Sequence, residues 1–165
     1  MASLKSEIAQ QRAFTSIEEE ALLNLLRTSD QLHRAFQLKT REWGITSTQY
    51  NVLRILRGAH PAGLPCTAIG NRMITAEPDI TRLLARLKAL KLVRQRRDAS
   101  DRRAVWTGIS EAGLKLLKEM DPVIERLPRE LFGELDRAEL KELIRLLELT
   151  RRKNKKAPNI SPVKM

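Results

Sequence analysis

The sequence predicts a mostly helical α+β fold in a single domain. Three observations carry that prediction. Apolar residues recur at helical spacing through most of the segment 16–152. The period drops to two only over residues 93–109. Capping or turn residues stand at the junctions between these segments. At 165 residues, with 42% of them in the AVILMFWYC set and 31% charged, the chain suits one domain with a real core.

Ser16-Ile17-Glu18-Glu19 fits a capping box, in which a serine hydroxyl and a glutamate three residues on satisfy exposed backbone N–H groups reciprocally. The helix it opens carries Leu22, Leu25, Leu26, Leu32 and Phe36 and should end near Trp43, with Gly44 as terminator. Thr46-Ser47-Thr48-Gln49 is a second capping box, opening a helix that runs to Gly58. Residues 59–63 read as a loop, and a short helix is expected from Pro65 or Cys66 to Arg72. A helix then runs from Pro78, tolerated in a first turn, to Leu90, with Ile80, Leu83, Leu84, Leu87 and Leu90 on one side. Val93, Gln95 and Arg97 alternate with Arg94 and Arg96, Asp98–Arg102 is turn-like, and Arg103, Val105, Thr107 and Ile109 alternate again: a two-stranded hairpin. Ser110 reopens helix, with a kink or break near Pro122 and Pro128, and Asp136 caps a last helix over 136–152.

The formal charge of +11 is unevenly placed. Residues 71–106 hold ten Lys/Arg against four Asp/Glu, and the tail 151–165 holds six with no acid, whereas 107–150 is net acidic. A basic segment inside a folded domain points to a polyanion, most often nucleic acid; the bland reading is a solvated surface. Helix, short helix, turn, helix and basic hairpin is the order of a winged helix-turn-helix, with the hairpin as wing. On the helix from Pro78 to Leu90 the apolar stripe leaves Pro78, Thr81, Arg82, Ala85, Arg86 and Ala89 on the opposite side. Arginines reach guanine edges or phosphates, Thr81 offers a hydroxyl, and alanines let the backbone approach the bases. An ordinary amphipathic surface helix would show the same stripe, but would not be followed by five arginines (Arg94, Arg96, Arg97, Arg102 and Arg103) on a two-stranded ribbon.

From Gly44 to Gly113 the chain resembles the MarR family of winged-helix transcriptional regulators. The resemblance rests on Thr48-Gln49-Tyr50-Asn51-Val52-Leu53-Arg54-Ile55-Leu56-Arg57-Gly58, on Pro78-Asp79-Ile80-Thr81-Arg82-Leu83-Leu84, and on Asp101-Arg102-Arg103 followed by Ile109-Ser110-Glu111-Ala112-Gly113. It implies a homodimer whose first and last helices entwine, hence a DNA-binding domain over 46–110 and a helical dimerisation region over 1–45 and 111–152; by its own composition the segment 153–165 reads as a basic, disordered tail. It implies that Asp101 sets the wing tip by pairing with a neighbouring arginine, where the residues alone allow a simple turn aspartate. Arg102 or Arg103 would then reach the minor groove. It also implies a small aromatic effector bound between the dimerisation helices and the DNA-binding domain, near Phe36, Trp43 and Tyr50; by their own pattern these three are core residues. Two positions depart from the family pattern. Lys91 stands where members usually place glycine, and a left-handed lysine there costs roughly 1 kcal/mol. Trp106-Thr107-Gly108 is unusual in the second wing strand.

The expected function is therefore a homodimeric repressor on a pseudo-palindromic double-stranded DNA site, released by a small molecule or another signal. The alternatives are a non-specific architectural nucleic-acid-binding protein and a winged-helix protein-interaction module. No enzyme is expected, since the sequence holds no phosphate loop, Gly-x-Ser-x-Gly, His-Glu-x-x-His or Cys-x-x-Cys. No cofactor or metal is expected either: His33 and His60 lie far apart, and Cys66 reads as a small buried residue or, alternatively, a redox sensor. One cysteine, no apolar run of membrane length and no signal-peptide core place the expected protein in the cytoplasm, on the nucleoid and off the membrane.

Overall fold

Capping side chains mark where the helices begin. In the computed structural model, described over residues 3–97 and 105–154, the Ser16 hydroxyl accepts from the Glu19 N–H at 3.1 Å and opens helix α2, Ile17–Arg41, after a single turn, α1, Leu4–Glu7. The reciprocal half of this box is displaced. Glu19 Oε2 accepts from the Thr15 N–H and hydroxyl, 2.6 and 2.7 Å away, one residue before the expected partner. These bonds hold the Glu19 carboxyl below its ordinary pKa. At Thr46 the box is complete: its hydroxyl accepts from Gln49 N–H, and Gln49 Oε1 accepts from Thr46 N–H. Helix α3, Ser47–Gly58, follows, then strand β1, Leu64–Pro65, and the short α4, Cys66–Gly70.

Helix α5 spans Ile80–Ala89, β2 Val93–Arg97, β3 Val105–Ile109 and α6 Glu111–Ile124. The expected start at Pro78 moves inward because Asp79 is the cap, its Oδ1 accepting from Arg82 N–H at 2.9 Å. The hairpin is antiparallel, with Val93 opposite Ile109, Gln95 opposite Thr107 and Arg97 opposite Val105. It is not a bare pair of strands. Leu64 and Pro65 pair with Thr107 and Trp106, giving a three-stranded sheet of order β1-β3-β2. Gly63, at φ +76°, allows this approach, since a Cβ there would come within 2.6 Å of the Thr107 carbonyl.

The core is made by α3, α5, α6 and the sheet. Val52, Leu53 and Leu56 meet Ile69, Leu84, Leu87, Ile109, Leu117 and Met120, all essentially without solvent contact. Arg57 on α3 donates to Asp121 Oδ2 on α6 at 2.7 Å, a half-buried pair that raises the arginine above its ordinary pKa. Helix α6 passes through Pro122 instead of breaking there. Pro122 is exposed in its last turn, and Met120 and Ile124 are buried on either side of it.

The first compact unit ends at Leu127 and the second begins at Pro128. Helix α7, Leu127–Leu131, begins at that border, and α8, Arg137–Asn154, forms the bulk of the second unit. Asp136 Oδ1 accepts from the N–H groups of Ala138 and Glu139, and Glu139 Oε2 accepts from Asp136 N–H. The backbone of α8 runs two residues past the expected end at 152, and the remainder of the expected tail lies outside the described residues.

Lys91 has φ +60° and closes α5: Leu92 N–H bonds the Leu87 carbonyl and Lys91 N–H the Lys88 carbonyl. Its side chain is exposed, so glycine would relieve the left-handed strain and lose little packing. Lys91→Gly should raise unfolding free energy by about 1 kcal/mol, measured by urea denaturation at fixed protein concentration; an unchanged midpoint would show the lysine is not strained.

Candidate nucleic-acid interface

Helix α5 separates sharply into two faces. Leu83, Leu84 and Leu87 are buried, and each contributes about 1.5–3 kcal/mol by leaving water. Thr81, Arg82, Ala85, Arg86 and Ala89 are exposed. Pro78 is exposed too, but it precedes the cap and is not part of the helix. The ion pairs among the described residues use Arg27, Arg34, Lys39, Arg57, Arg145 and Arg152, so neither Arg82 nor Arg86 is engaged by one. With two residues at each end of their i,i+4 spacing pointing outward, α5 offers two guanidinium groups beside two methyl-sized side chains.

Two contacts that the sequence did not suggest hold this helix in place. Asn51 Oδ1 on α3 accepts from the backbone N–H of Ile74 at 3.1 Å, pinning the long turn between α4 and α5. Asn51 stands among other polar residues of α3, such as Gln49, Arg54 and Arg57, so the sequence carries no signal that singles it out. At the far end, Ser110 Oγ donates to the Lys91 carbonyl at 2.8 Å and accepts from Gly113 N–H at 3.1 Å. The exit of α5 and the start of α6 are thereby joined.

The hairpin arginines are not equivalent. Arg94 and Arg97 are exposed. Arg96 is exposed as well, but it lies over the ring of its cross-strand neighbour Trp106, 5.4 Å from the centroid, with Nη2 3.4 Å from the Ala62 carbonyl. The unusual Trp106 thus has a structural use: it anchors an arginine and the loop before β1 to the wing. Asp101, Arg102 and Arg103, the expected wing-tip residues, lie outside the described residues.

Phe36, Trp43 and Tyr50 pack on the core. Phe36 and Tyr50 meet edge to face with ring centroids 5.4 Å apart, Tyr50 is buried, and Arg54 Nη1 donates to the Tyr50 hydroxyl at 3.3 Å.

Comparison with known proteins agrees with this architecture. A MarR family model matches residues 43–104. The HTH-type transcriptional repressor NicR of Pseudomonas putida is 31% identical over 133 residues, covering 78% of this chain and 80% of NicR. A MarR transcription factor from Planctomyces limnophilus is 39% identical, with a TM-score of 0.65 over 83% of this chain and 99% of that one. Bordetella bronchiseptica BpsR, whose structure is described as explaining regulation of its DNA binding by 6-hydroxynicotinic acid, is 27% identical, with a TM-score of 0.71 over 81% of this chain and 99% of BpsR. The winged helix-turn-helix, the exposed basic face of α5 and the identity and length of these matches lead to one conclusion: the chain belongs to the MarR family.

Proposed function

We propose that this protein is a transcriptional repressor that binds a pseudo-palindromic double-stranded DNA site as a homodimer, with α5 in the major groove. The observation that carries the reading is the two-faced α5: a buried leucine stripe locks the helix to the core while Thr81, Arg82, Ala85 and Arg86 face outward together. Arg82 and Arg86 read base edges or grip phosphates, and Thr81 and Pro78 sit where the helix N-terminus meets the backbone. Arg94 and Arg97 add phosphate contacts from the hairpin, and Arg102 and Arg103 reach the minor groove with Asp101 shaping the turn. The reading is of a binding protein and not an enzyme, in keeping with the regulators it resembles.

Dimerisation through residues 1–45 and 111–152 is supported by apolar surface that the single chain leaves open. Ile17, Leu22, Leu25, Leu26 and Leu38 are exposed on α2, and Ile144, Leu146 and Leu149 on α8. So many large aliphatic residues on two terminal helices call for a partner. A small aromatic effector beside Phe36, Trp43 and Tyr50 extends to this chain what BpsR's description says of BpsR. A cytoplasmic location fits the same reading, and no described helix is long and apolar enough to cross a membrane.

Sedimentation at micromolar concentration should give about twice the 18.9 kDa chain mass; a monomer that still binds its site would refute the dimer. DNA selected from random sequence should yield inverted half-sites whose centres lie about 10 base pairs, or a multiple of that, apart. On that site Arg82→Ala should cost about 1–3 kcal/mol and relax one base position per half-site, with wild-type thermal stability. Unchanged affinity and consensus would remove α5 as the reader. Arg102→Ala should weaken binding most where flanking DNA is A·T-rich and leave the major-groove consensus intact; a loss independent of flanking sequence would assign Arg102 to the phosphates instead.

A further inference from the structure

The three-stranded sheet narrows to two strands at Trp106. Strand β1 pairs with β3 only at Leu64 and Pro65, opposite Thr107 and Trp106, whereas β2 and β3 pair on through Arg97 and Val105. Beyond Trp106 the hairpin is therefore a two-stranded ribbon. Such ribbons twist more strongly than wider sheets, so their direction depends on what holds their base. At this same level a side chain braces the outer face. Thr107 is buried toward the core, so the alternation along β3 turns Trp106 to the other side, where it stands half-buried opposite Arg96. The Arg96 guanidinium lies 5.4 Å from the Trp106 ring centroid, and its Nη2 is 3.4 Å from the carbonyl of Ala62, in the loop before β1. One arginine of β2 thereby holds β3 and the loop together. Arg94 and Arg97 have no ring across the ladder, since they stand opposite Gly108 and Val105.

We infer that Arg96 and Trp106 are positioning residues: their stack sets the direction of the ribbon, and with it the protein's preference for A·T-rich DNA beside its half-sites. The inference rests on the proposed function, in which the hairpin meets the minor groove, and adds to it two residues that need touch no DNA. The physical basis is leverage. A narrow minor groove, which A·T tracts favour, attracts arginine through its concentrated negative potential, but only an arginine aimed along it. A small swing at the base of the ribbon becomes a larger displacement farther out, so bracing counts most at the level where the third strand ends. A guanidinium suits the brace, because its flat face stacks on an aromatic ring while its edge still donates to a carbonyl. Arg96 is exposed and charged, yet the ring and the carbonyl it meets both belong to the protein's own fold. Its part in DNA binding is geometric, and removing it should leave the number of displaced counterions unchanged.

The test uses the full chain and two duplexes that carry the same selected half-sites, one with A·T-rich and one with G·C-rich flanks, titrated over a range of salt. The ratio of the two affinities is the readout, because it does not depend on how much of a variant preparation is folded. Trp106→Leu, which changes no charge, and Arg96→Gln should each weaken binding to the A·T-flanked duplex about five-fold while changing the G·C-flanked affinity less than about two-fold. The double variant should be no weaker than either single one, since both remove one stack. Trp106→Phe, which keeps a ring face for the guanidinium, should restore the wild-type ratio. In Arg96→Gln the salt slope should move by less than half the step of about one that a lost phosphate contact gives. A full step there, with Trp106→Leu unaffected, would make Arg96 a phosphate contact and overturn the inference. Equal losses on both duplexes, additive losses in the double variant, or a wild-type protein without flank preference would overturn it too. A wild-type flank preference that survives both substitutions sinks this inference alone, whereas a chain that selects no DNA site sinks the proposed function and this inference with it.

Discussion

The winged helix-turn-helix turns on the junction of Lys91 and Leu92 with Ser110 and Gly113. Within this small volume α5 ends, β2 begins, β3 ends and α6 starts. The Leu92 N–H closes α5 on Leu87, the Leu92 carbonyl accepts from Ser110 N–H, and the Lys91 carbonyl accepts from the Ser110 hydroxyl. Ser110 uses the same oxygen to cap α6 through Gly113 N–H. Gly113 has no room for a side chain, because a Cβ would run into the Leu92 carbonyl and the Ile109 side chain. These bonds join the two segments at their crossing, and the directions of α5 and the hairpin are set relative to each other. A strained lysine at φ +60° is tolerated there because the surrounding hydrogen bonds over-determine its backbone.

That rigidity explains why positive charge alone is a poor guide to the interface. Sequence counting groups Arg94, Arg96 and Arg97 together, yet their cross-strand neighbours differ: Gly108, Trp106 and Val105. The partner of Arg96 across the ladder is Trp106, whose ring face attracts a guanidinium, so Arg96 is spent on the wing's own shape. On α5 the pitch of the helix makes the opposite choice: Leu83, Leu84 and Leu87 must be buried, and Arg82 and Arg86 are turned out as a consequence. Their outward placement follows from core packing and needs no contact of their own.

What the sequence made legible is what local chemistry decides. The Thr46 and Ser110 caps, the α5 stripe and the alternation of 93–109 were all readable, because each depends on residues within four positions of one another; the left-handed Lys91 was visible only through the family resemblance. The features that were not readable depend on distant partners. Strand β1 is two residues long, one of them proline, and becomes a strand only because β3 lies beside it. Glu19 reaches Thr15 instead of Ser16, a choice between two nearby N–H groups that spacing cannot make. Asn51 and Arg57 look like ordinary helical polar residues until the turn at Ile74 and Asp121 on α6 are brought to them.

The two compact units differ in how they meet water. In the first, α3, α5 and α6 each bury three or more residues, and the exposed surface of α5 is polar or methyl-sized. In the second, α8 buries no residue fully and leaves Ile144, Leu146 and Leu149 open, despite caps at its start and an ion pair between Glu142 and Arg145. Capping and i,i+3 pairs stabilise a helix of this length only modestly, and the rest has to come from covering its apolar face. Helix α2 has the same character along its first half, with Leu22, Leu25 and Leu26 exposed one turn after another. In the proposed homodimer a second copy of the chain would supply that cover through an isologous contact. On the proposed function, that contact would also set the distance between two copies of α5, so apolar residues of α2 and α8 would determine which half-site spacing the protein can read.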